Sequence, residues 1–174
     1  RYDLMHNING RGIFLTSKLC IPHLLKSSNP HILNISPPLD MDPKWFKSTV
    51  AYTIAKFNMS MCVLGMAAEY EGKIAINALW PRTAIKTAAV ANVLGADEVY
   101  NKSRSPEIMA DAAHIILNKD KDKFTGNFVI DDSILAEHGE TDFRKYADYP
   151  FQELIPDFFV PEHAYPVPKI VKDN

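Results

Sequence analysis

The chain has 174 residues, 47% of them hydrophobic, which is enough for one domain with a sizeable core. Its formal net charge of −2 gives no general attraction to nucleic acid or to an anionic membrane. The 6 histidines and 2 cysteines show no zinc-ligand spacing, so the sequence predicts no metal site. No apolar stretch is expected to reach transmembrane length. Cys20 and Cys62 fall on apolar helix faces and are expected to be reduced core thiols.

The first predicted elements are a helix and a strand. Residues 3–26 predict a helix, which Pro22 is expected to kink. The short apolar run 31–36 predicts a buried parallel strand. Two prolines follow this run, and because proline cannot continue a central strand, the chain is expected to leave the sheet after Ser36.

A second helix is predicted to begin near Thr49, because apolar residues recur every three or four positions after it. Gly72 is expected to end this helix as the residue just beyond its C-cap. The apolar run 73–80 then predicts a second strand, which Pro81 stops. The order of strand, helix and strand is typical of an α/β sheet.

Polar side chains cluster at the expected carboxyl edge of this sheet. Ligands of open α/β sheets bind beyond the carboxyl ends of the strands. Ser36, Tyr52 and the loop 81–87 are all expected to reach that edge. The sequence therefore predicts a ligand site there.

Tyr52 and Lys56 lie four positions apart and so on one face of the predicted helix. A free phenol has a pKa near ~10, and a neighbouring ammonium favours the phenolate and lowers that pKa. Such a tyrosine can pass a proton to or from an alcohol or carbonyl oxygen. Alone, the same spacing arises by chance, with a partly buried tyrosine beside a solvated lysine.

Five short motifs occur in an order that resembles the short-chain dehydrogenase/reductase family. They are N-x-x-G at 9–12, N-x-S at 34–36, Y-x-x-x-K at 52–56, N-x-x-x-P at 77–81, and a last strand opened by T-G within 124–131. One such motif is weak, but five in order identify the chain as a member of this family. The resemblance covers the chain up to about Asp131.

The resemblance implies an α/β fold, the C-terminal part of a Rossmann-type doubly wound parallel sheet. The family's dinucleotide-binding half carries T-G-x-x-x-G-I-G, and none of the 7 glycines here forms that fingerprint. We therefore expect this half to precede the region seen here. Residues 1–131 are expected to form a partial dehydrogenase domain. Residues 132–174, rich in proline and aromatic residues, are expected to form an extension or linker.

The resemblance also implies the roles of individual residues. Tyr52 would move the proton, and Lys56 would lower the pKa of Tyr52 and bind the nicotinamide ribose of NADP or NAD. Asn9 would hold a helix kink and a water. Ser36 would polarise the substrate oxygen, while Tyr52, Lys56, Pro81, Ile85 and Thr87 would contact the cofactor.

Two positions depart from the family pattern and leave alternatives open. Pro37 occupies the usual serine position, so Ser36 has either a direct role or only caps backbone groups at the strand end. Arg82 replaces the glycine that usually follows the proline, and it is either a substrate or phosphate contact or a solvated surface side chain.

The implied function is NAD(P)(H)-dependent oxidation or reduction of a small molecule, a lipid-like or steroid-like alcohol or ketone. The apolar stretch 85–100, which resembles the family's substrate loop, favours that substrate class. The alternative is an inactive family member that acts only by associating with a partner. The resemblance further implies a homo-oligomer formed through the helices that carry Cys20 and Tyr52, and a peroxisomal or mitochondrial location.

Overall fold

The computed structural model describes residues 1–93 and 97–174, apart from the side chains of 92 and 93. Its α/β architecture confirms the predicted fold class. The chain divides into two compact units. The first comprises Arg1–Leu79 and Ile116–Val129, and the second comprises Trp80–Ile115 and Ile130–Asn174.

The first unit opens with the predicted helix. Helix α1 spans Tyr2–His6 and α2 spans Gly12–Leu24, and a π-helical turn at Asn7–Arg11 joins them. The departure from α-helical geometry falls at this turn, whereas Pro22 lies inside α2. A Cβ at Gly10 would come within 2.6 Å of the Asn58 side chain, so a larger residue here would require the Asn58 side chain to move.

A small parallel sheet lies in the first unit, apart from Trp80 and Ile130, the last residues of two of its strands, which belong to the second. Strand β1 spans His31–Ile35, β2 spans Ala75–Trp80 and β3 spans Phe128–Ile130, in the order β1-β2-β3. Strands β1 and β2 are parallel. Every β2 residue is buried, which suits an apolar run in a parallel sheet. Strand β1 is parallel as predicted, but it is only partly buried, so the expected burial is wrong.

Helix α3 spans Val50–Glu69, and its buried face contributes to the core of the first unit. It also carries Tyr52 and Lys56 of the predicted site. Thr49 is its N-cap, as predicted. The C-cap is Tyr70, so Gly72, with φ at +70°, lies two residues beyond the cap rather than one. The buried face joins one cluster with α2 and the sheet: Ile21, Val63, Met66, Ala67, Ile74, Ile76 and Ala78.

Helix α3 is the one stretch, among the residues described, that is long and apolar enough to cross a membrane. By length and composition, the expectation that no apolar stretch is long enough to cross a membrane is therefore wrong. Buried core helices of soluble proteins pass the same test, so it is weak support for a membrane span. Cys20 is exposed and Cys62 is partly buried, and neither is the core thiol that was predicted.

The second unit contains short helices. They are α4 (Ala88–Val93), α5 (Asp97–Asn101), α6 (Glu107–Leu117, whose last two residues belong to the first unit), α7 (Asp131–Glu137) and α8 (Lys169–Lys172). Single antiparallel and parallel bridges, Thr83 with Pro156 and Ile85 with Arg104, tie their connecting segments together. The predicted domain boundary at Asp131 stays a prediction.

A buried ion cluster holds the second unit together. The Nε of Arg82 lies 2.7 Å and 2.8 Å from the two carboxylate oxygens of Asp132, and Arg104 Nη1 lies 3.0 Å from one of them. Arg82 also donates to Ser133 Oγ and to the carbonyl of Tyr165. Arg82 is buried, so the alternative of a solvated surface side chain is wrong. The N–H groups of its guanidinium are hydrogen-bonded to other groups of the protein.

Candidate active site

Tyr52 and Lys56 meet on the first two turns of α3. The Lys56 Nζ lies 5.8 Å from the centre of the Tyr52 ring, within the range of a cation–π contact. Tyr52 is 39% exposed, whereas its neighbour Thr53 on the opposite face is buried. The helix thus presents a partly exposed phenol with an ammonium over its ring.

The segment before α3 is fixed by side-chain hydrogen bonds. Trp45 Nε1 donates to Asp40 at 2.9 Å, and this bond is the main reason that the pKa of Asp40 is lowered. Thr53 Oγ1 donates to the Trp45 carbonyl at 2.5 Å. Because Trp45 is held from both sides, the entry to α3, and with it the position of Tyr52, is defined by the preceding loop.

Ser36 follows the last residue of β1 and is 1% exposed. Its Oγ has no hydrogen-bond partner among the described residues. The alternative that Ser36 only caps backbone groups is therefore not what the structure contains. The next residue, Pro37, accepts a 2.6 Å hydrogen bond from Ser60 Oγ of α3, which ties the end of β1 to the helix that bears Tyr52 and Lys56.

Asn9 lies within the π-helical turn. Its Nδ2 donates to the Met5 carbonyl at 2.8 Å, so the side chain closes the irregular turn internally. Single π turns inside α-helices are frequent at functional sites. The position of Asn9 agrees with the expected helix irregularity, and its contact with a water stays a prediction.

The expected cofactor loop belongs to the second unit. Pro81 and Ile85 are buried, and Thr87 is exposed. The bridge around Ile85 uses the N–H of Lys86 and the carbonyl of Ala84, bonded to Arg104. Within the described part of the chain, the N–H and C=O of Ile85 itself form no backbone hydrogen bond. Thr87 Oγ1 accepts a 3.3 Å hydrogen bond from the Val90 N–H, at the start of α4.

Sequence reasoning missed two sets of side-chain interactions. The Asn77 side chain donates to the Phe124 carbonyl at 2.9 Å and accepts from the Asn127 N–H at 3.0 Å, which fixes the turn before β3. The second is the salt bridge between Arg82 and Asp132. Two opposite charges, each two residues after the end of one of two neighbouring strands, were the available signal. Within 1–93 and 97–174, no group of His, Cys, Asp and Glu side chains could hold a metal ion.

A protein-family model described as enoyl-(acyl carrier protein) reductase matches residues 1–117. Hydroxysteroid dehydrogenase-like protein 2 of Danio rerio is 62% identical over 158 residues, which cover 91% of this chain and 38% of the relative. The chain thus spans about two fifths of the length of that curated relative, as it does for the human protein of the same name, with 41% covered.

Solved structures agree. A short-chain dehydrogenase from Mycobacterium thermoresistibile superposes with a TM-score of 0.84 at 45% identity, over 97% of this chain and 59% of its own. A Shigella flexneri protein of the short-chain dehydrogenase type, solved with NADP, matches at a TM-score of 0.59 and 20% identity, over 72% of this chain and 51% of its own. The latter shows likeness of fold alone. By family match and similarity together, the chain belongs to the short-chain dehydrogenase/reductase family.

Proposed function

We propose that this chain carries the proton-transfer residues of an NADP(H)- or NAD(H)-dependent oxidoreductase that acts on a lipid-like or steroid-like alcohol or ketone. The observation that carries the proposal is the placement of Lys56 Nζ over the Tyr52 ring on one exposed face of α3. The names of the curated relatives, hydroxysteroid dehydrogenase-like proteins, favour the substrate class. Part of the apolar loop that suggested this class, residues 94–96, lies outside the described residues.

The mechanism assigns one proton to Tyr52. In the oxidative direction its Oη takes the proton of the substrate hydroxyl, and in the reductive direction it returns a proton to the carbonyl oxygen. The Lys56 ammonium favours the phenolate form and so eases both transfers. Ser36 Oγ, buried and without a partner among the described residues, has an O–H donor to offer to the substrate oxygen.

A nicotinamide cofactor, when bound, supplies or accepts the hydride. The residues present fit its carboxamide, which offers one acceptor and one donor group. Ile85 has a backbone N–H and C=O with no recorded partner among the described residues, a donor and an acceptor that match the carboxamide. Lys56 would hold the ribose and Thr87 the carboxamide edge.

We also propose that the protein forms a homo-oligomer through the helices that carry Cys20 and Tyr52. The helices expose large apolar side chains that a solvated surface does not explain. They are Leu4, Ile8, Phe14 and Leu19 on the N-terminal helices, and Val50, Ile54, Met61 and Leu64 on α3. The same faces would serve an inactive family member that acts only through a partner, so turnover is the property that separates the two functions.

The test uses the longest natural form of the protein with steroid and long-chain alcohols and ketones, followed by nicotinamide absorbance. The expected result is turnover of at least one compound, which Tyr52→Phe lowers by roughly 10²–10⁴-fold. The matched control is Tyr70→Phe, at the C-terminal end of the same helix, which should leave turnover intact. Unaltered turnover in Tyr52→Phe would exclude Tyr52 as the proton-transfer group. A protein that binds cofactor and oligomerises without turning over any compound would support the inactive alternative.

A further inference from the structure

The cofactor loop, residues 81–87, is paired like a short strand within the second unit. The Lys86 N–H donates to the Arg104 carbonyl at 2.8 Å, and the Arg104 N–H donates to the Ala84 carbonyl at 2.9 Å, around the parallel bridge of Ile85 with Arg104. In paired backbone, the peptide groups of successive residues point to opposite edges. The N–H and C=O of Ile85 therefore face the edge away from Arg104, where they form no backbone hydrogen bond with the described residues.

The C-terminal segment holds the first half of the same loop. The Ala84 N–H donates to the Ile155 carbonyl and the Asp157 N–H donates to the Arg82 carbonyl, both at 2.9 Å, in antiparallel pairing. Residues 132–174, which the sequence predicts to be an extension or linker, thus supply backbone hydrogen bonds to the loop.

The Arg82 side chain adds a buried connection between these segments. Its Nε lies 2.7 Å from Asp132 Oδ1, its Nη2 donates to Ser133 Oγ at 2.8 Å, and its Nη1 donates to the Tyr165 carbonyl at 2.8 Å. The backbone N–H of Arg82 donates to Asp131 Oδ1 at 3.0 Å. One residue of the loop is therefore bonded both to the first turn of α7 and to the C-terminal segment.

These bonds hold the loop three residues before Ile85. A guanidinium donates in fixed directions, and its hydrogen bonds to charged groups are stronger than those between neutral groups. Arg82 is only 5% exposed, so little water competes for its partners. A loop that is already ordered loses less conformational entropy on binding a ligand than a loop that must be ordered at that moment.

We propose that Arg82 is a positioning residue for the nicotinamide end of the cofactor. Its bonds to α7 and to the C-terminal segment keep the loop in the conformation in which the Ile85 N–H and C=O meet the carboxamide. Arg82 contacts neither cofactor nor substrate in this role, because its guanidinium is bonded to protein groups. The inference rests on the proposed function, since it takes the carboxamide to lie against Ile85.

The test compares a dinucleotide with the fragment of it that lacks nicotinamide, by calorimetric titration of the longest natural form of the protein. The probes are NADH with ADP-ribose and NADPH with phospho-ADP-ribose, and the more tightly bound pair is used. Arg82→Met keeps the aliphatic stem and removes the donors. Affinity for the dinucleotide should fall by about tenfold, the size of two carboxamide hydrogen bonds, while affinity for the fragment stays unchanged. The control, Arg144→Met, removes an exposed arginine of the same unit and should change neither affinity.

A milder variant covers the case in which thermal unfolding shows that Arg82→Met is not folded. Arg82→Lys keeps a cation for Asp132, but its single nitrogen cannot also hold Ser133 and Tyr165, so the dinucleotide alone should bind about threefold more weakly. Equal weakening of dinucleotide and fragment, or an unchanged affinity for the dinucleotide, would overturn the positioning role and leave the proposed function intact. A natural form that binds neither NADH nor NADPH would overturn both.

Discussion

Lys56 places its ammonium 5.8 Å from the centre of the Tyr52 ring, one helical turn further along α3. The cation thus acts on the aromatic system that must carry the phenolate charge. An opposite charge at this range stabilises the ionised form of a group and so makes it a better base at neutral pH. Because the contact joins the two side chains, substitution of either residue should affect the chemistry of the other.

The first prediction concerns Tyr52. In the longest natural form, Tyr52→Phe removes the hydroxyl and keeps the ring under Lys56. Proton transfer by a positioned side chain is worth roughly 10²–10⁴-fold, so kcat should fall by about that factor while cofactor affinity changes little. Steady-state kinetics on a confirmed substrate, with cofactor titration by fluorescence, measure both quantities. Unaltered turnover would show that another group moves the proton.

The second prediction concerns Lys56. Lys56→Met keeps the aliphatic stem and removes the charge, so cofactor binding should weaken and the pH–rate profile should shift to alkaline pH, because the phenolate loses its stabilising neighbour. Both are read from kcat and KM measured across pH. Lys47→Met, an exposed lysine before α3, is the control. If cofactor affinity alone changes, Lys56 does not lower the pKa of Tyr52.

The third prediction separates function from stability at Ser36. Ser36→Ala deletes a buried hydroxyl that bonds to none of the described groups, so the free energy of unfolding should stay within about 1 kcal/mol of the natural protein. Turnover should nevertheless fall, because the substrate oxygen loses a donor. Denaturant unfolding and kcat together make the test.

Ser60→Ala provides the contrast to Ser36→Ala. Ser60 donates to the Pro37 carbonyl, so its loss should cost roughly 1–3 kcal/mol of stability by leaving a buried acceptor unpaired. Ser36→Ala with full activity would assign Ser36 no part in the reaction.

Local sequence patterns predicted the elements that carry the candidate site. The apolar run before Pro81 and the three-to-four spacing after Thr49 gave β2 and α3 nearly at their observed bounds. Such patterns work because strand and helix have periods of two and 3.6 residues. The Tyr52–Lys56 contact followed from the same periodicity.

Long-range partners escaped prediction for a physical reason. Arg82 bonds Asp132, 50 positions away, and no local period encodes that pairing. An arginine after a strand reads as exposed until its partner is known, since isolated charges are rarely buried. The π-helical turn at Asn7–Arg11 was expected only as an irregularity at Asn9, from the family resemblance, because no local period of the sequence encodes a π turn.

The fourth prediction concerns the cofactor affinity of these 174 residues alone. Pyrophosphate is held by backbone N–H groups at a glycine-rich turn and a helix N-terminus, and the sequence contains no such fingerprint. Lys56 and Thr87 would reach only the nicotinamide end. Calorimetric titration should therefore detect no NADPH binding at micromolar protein. Stoichiometric binding with a micromolar or tighter Kd would place a phosphate site elsewhere in the chain.

The fifth prediction is a pH dependence of stability that originates at Asp131. Burial, and next the charge of Asp132, raise the pKa of Asp131 from 3.8 to about 7, against the opposing effects of Arg104 and of the backbone N–H groups of Arg82 and Asp132. The folded chain then binds a proton that the unfolded chain releases between these two values. Stability from this group is full below about pH 4, is lost as the pH rises to about 7, and is constant above.

Asp131→Asn tests this origin, because the amide keeps the Oδ1 that accepts from the Arg82 and Asp132 N–H groups and cannot ionise. Denaturant unfolding between pH 4 and pH 8 should show a flatter profile for the variant. At pH 8 the variant should be more stable, by an amount on the order of 4 kcal/mol at most, since one pKa unit is worth about 1.4 kcal/mol. Asp132→Asn should instead destabilise at every pH, because it leaves the buried Arg82 and Arg104 uncompensated. Parallel pH profiles for the natural chain and Asp131→Asn would mean that Asp131 is ionised throughout this range and that the buried arginines outweigh its burial.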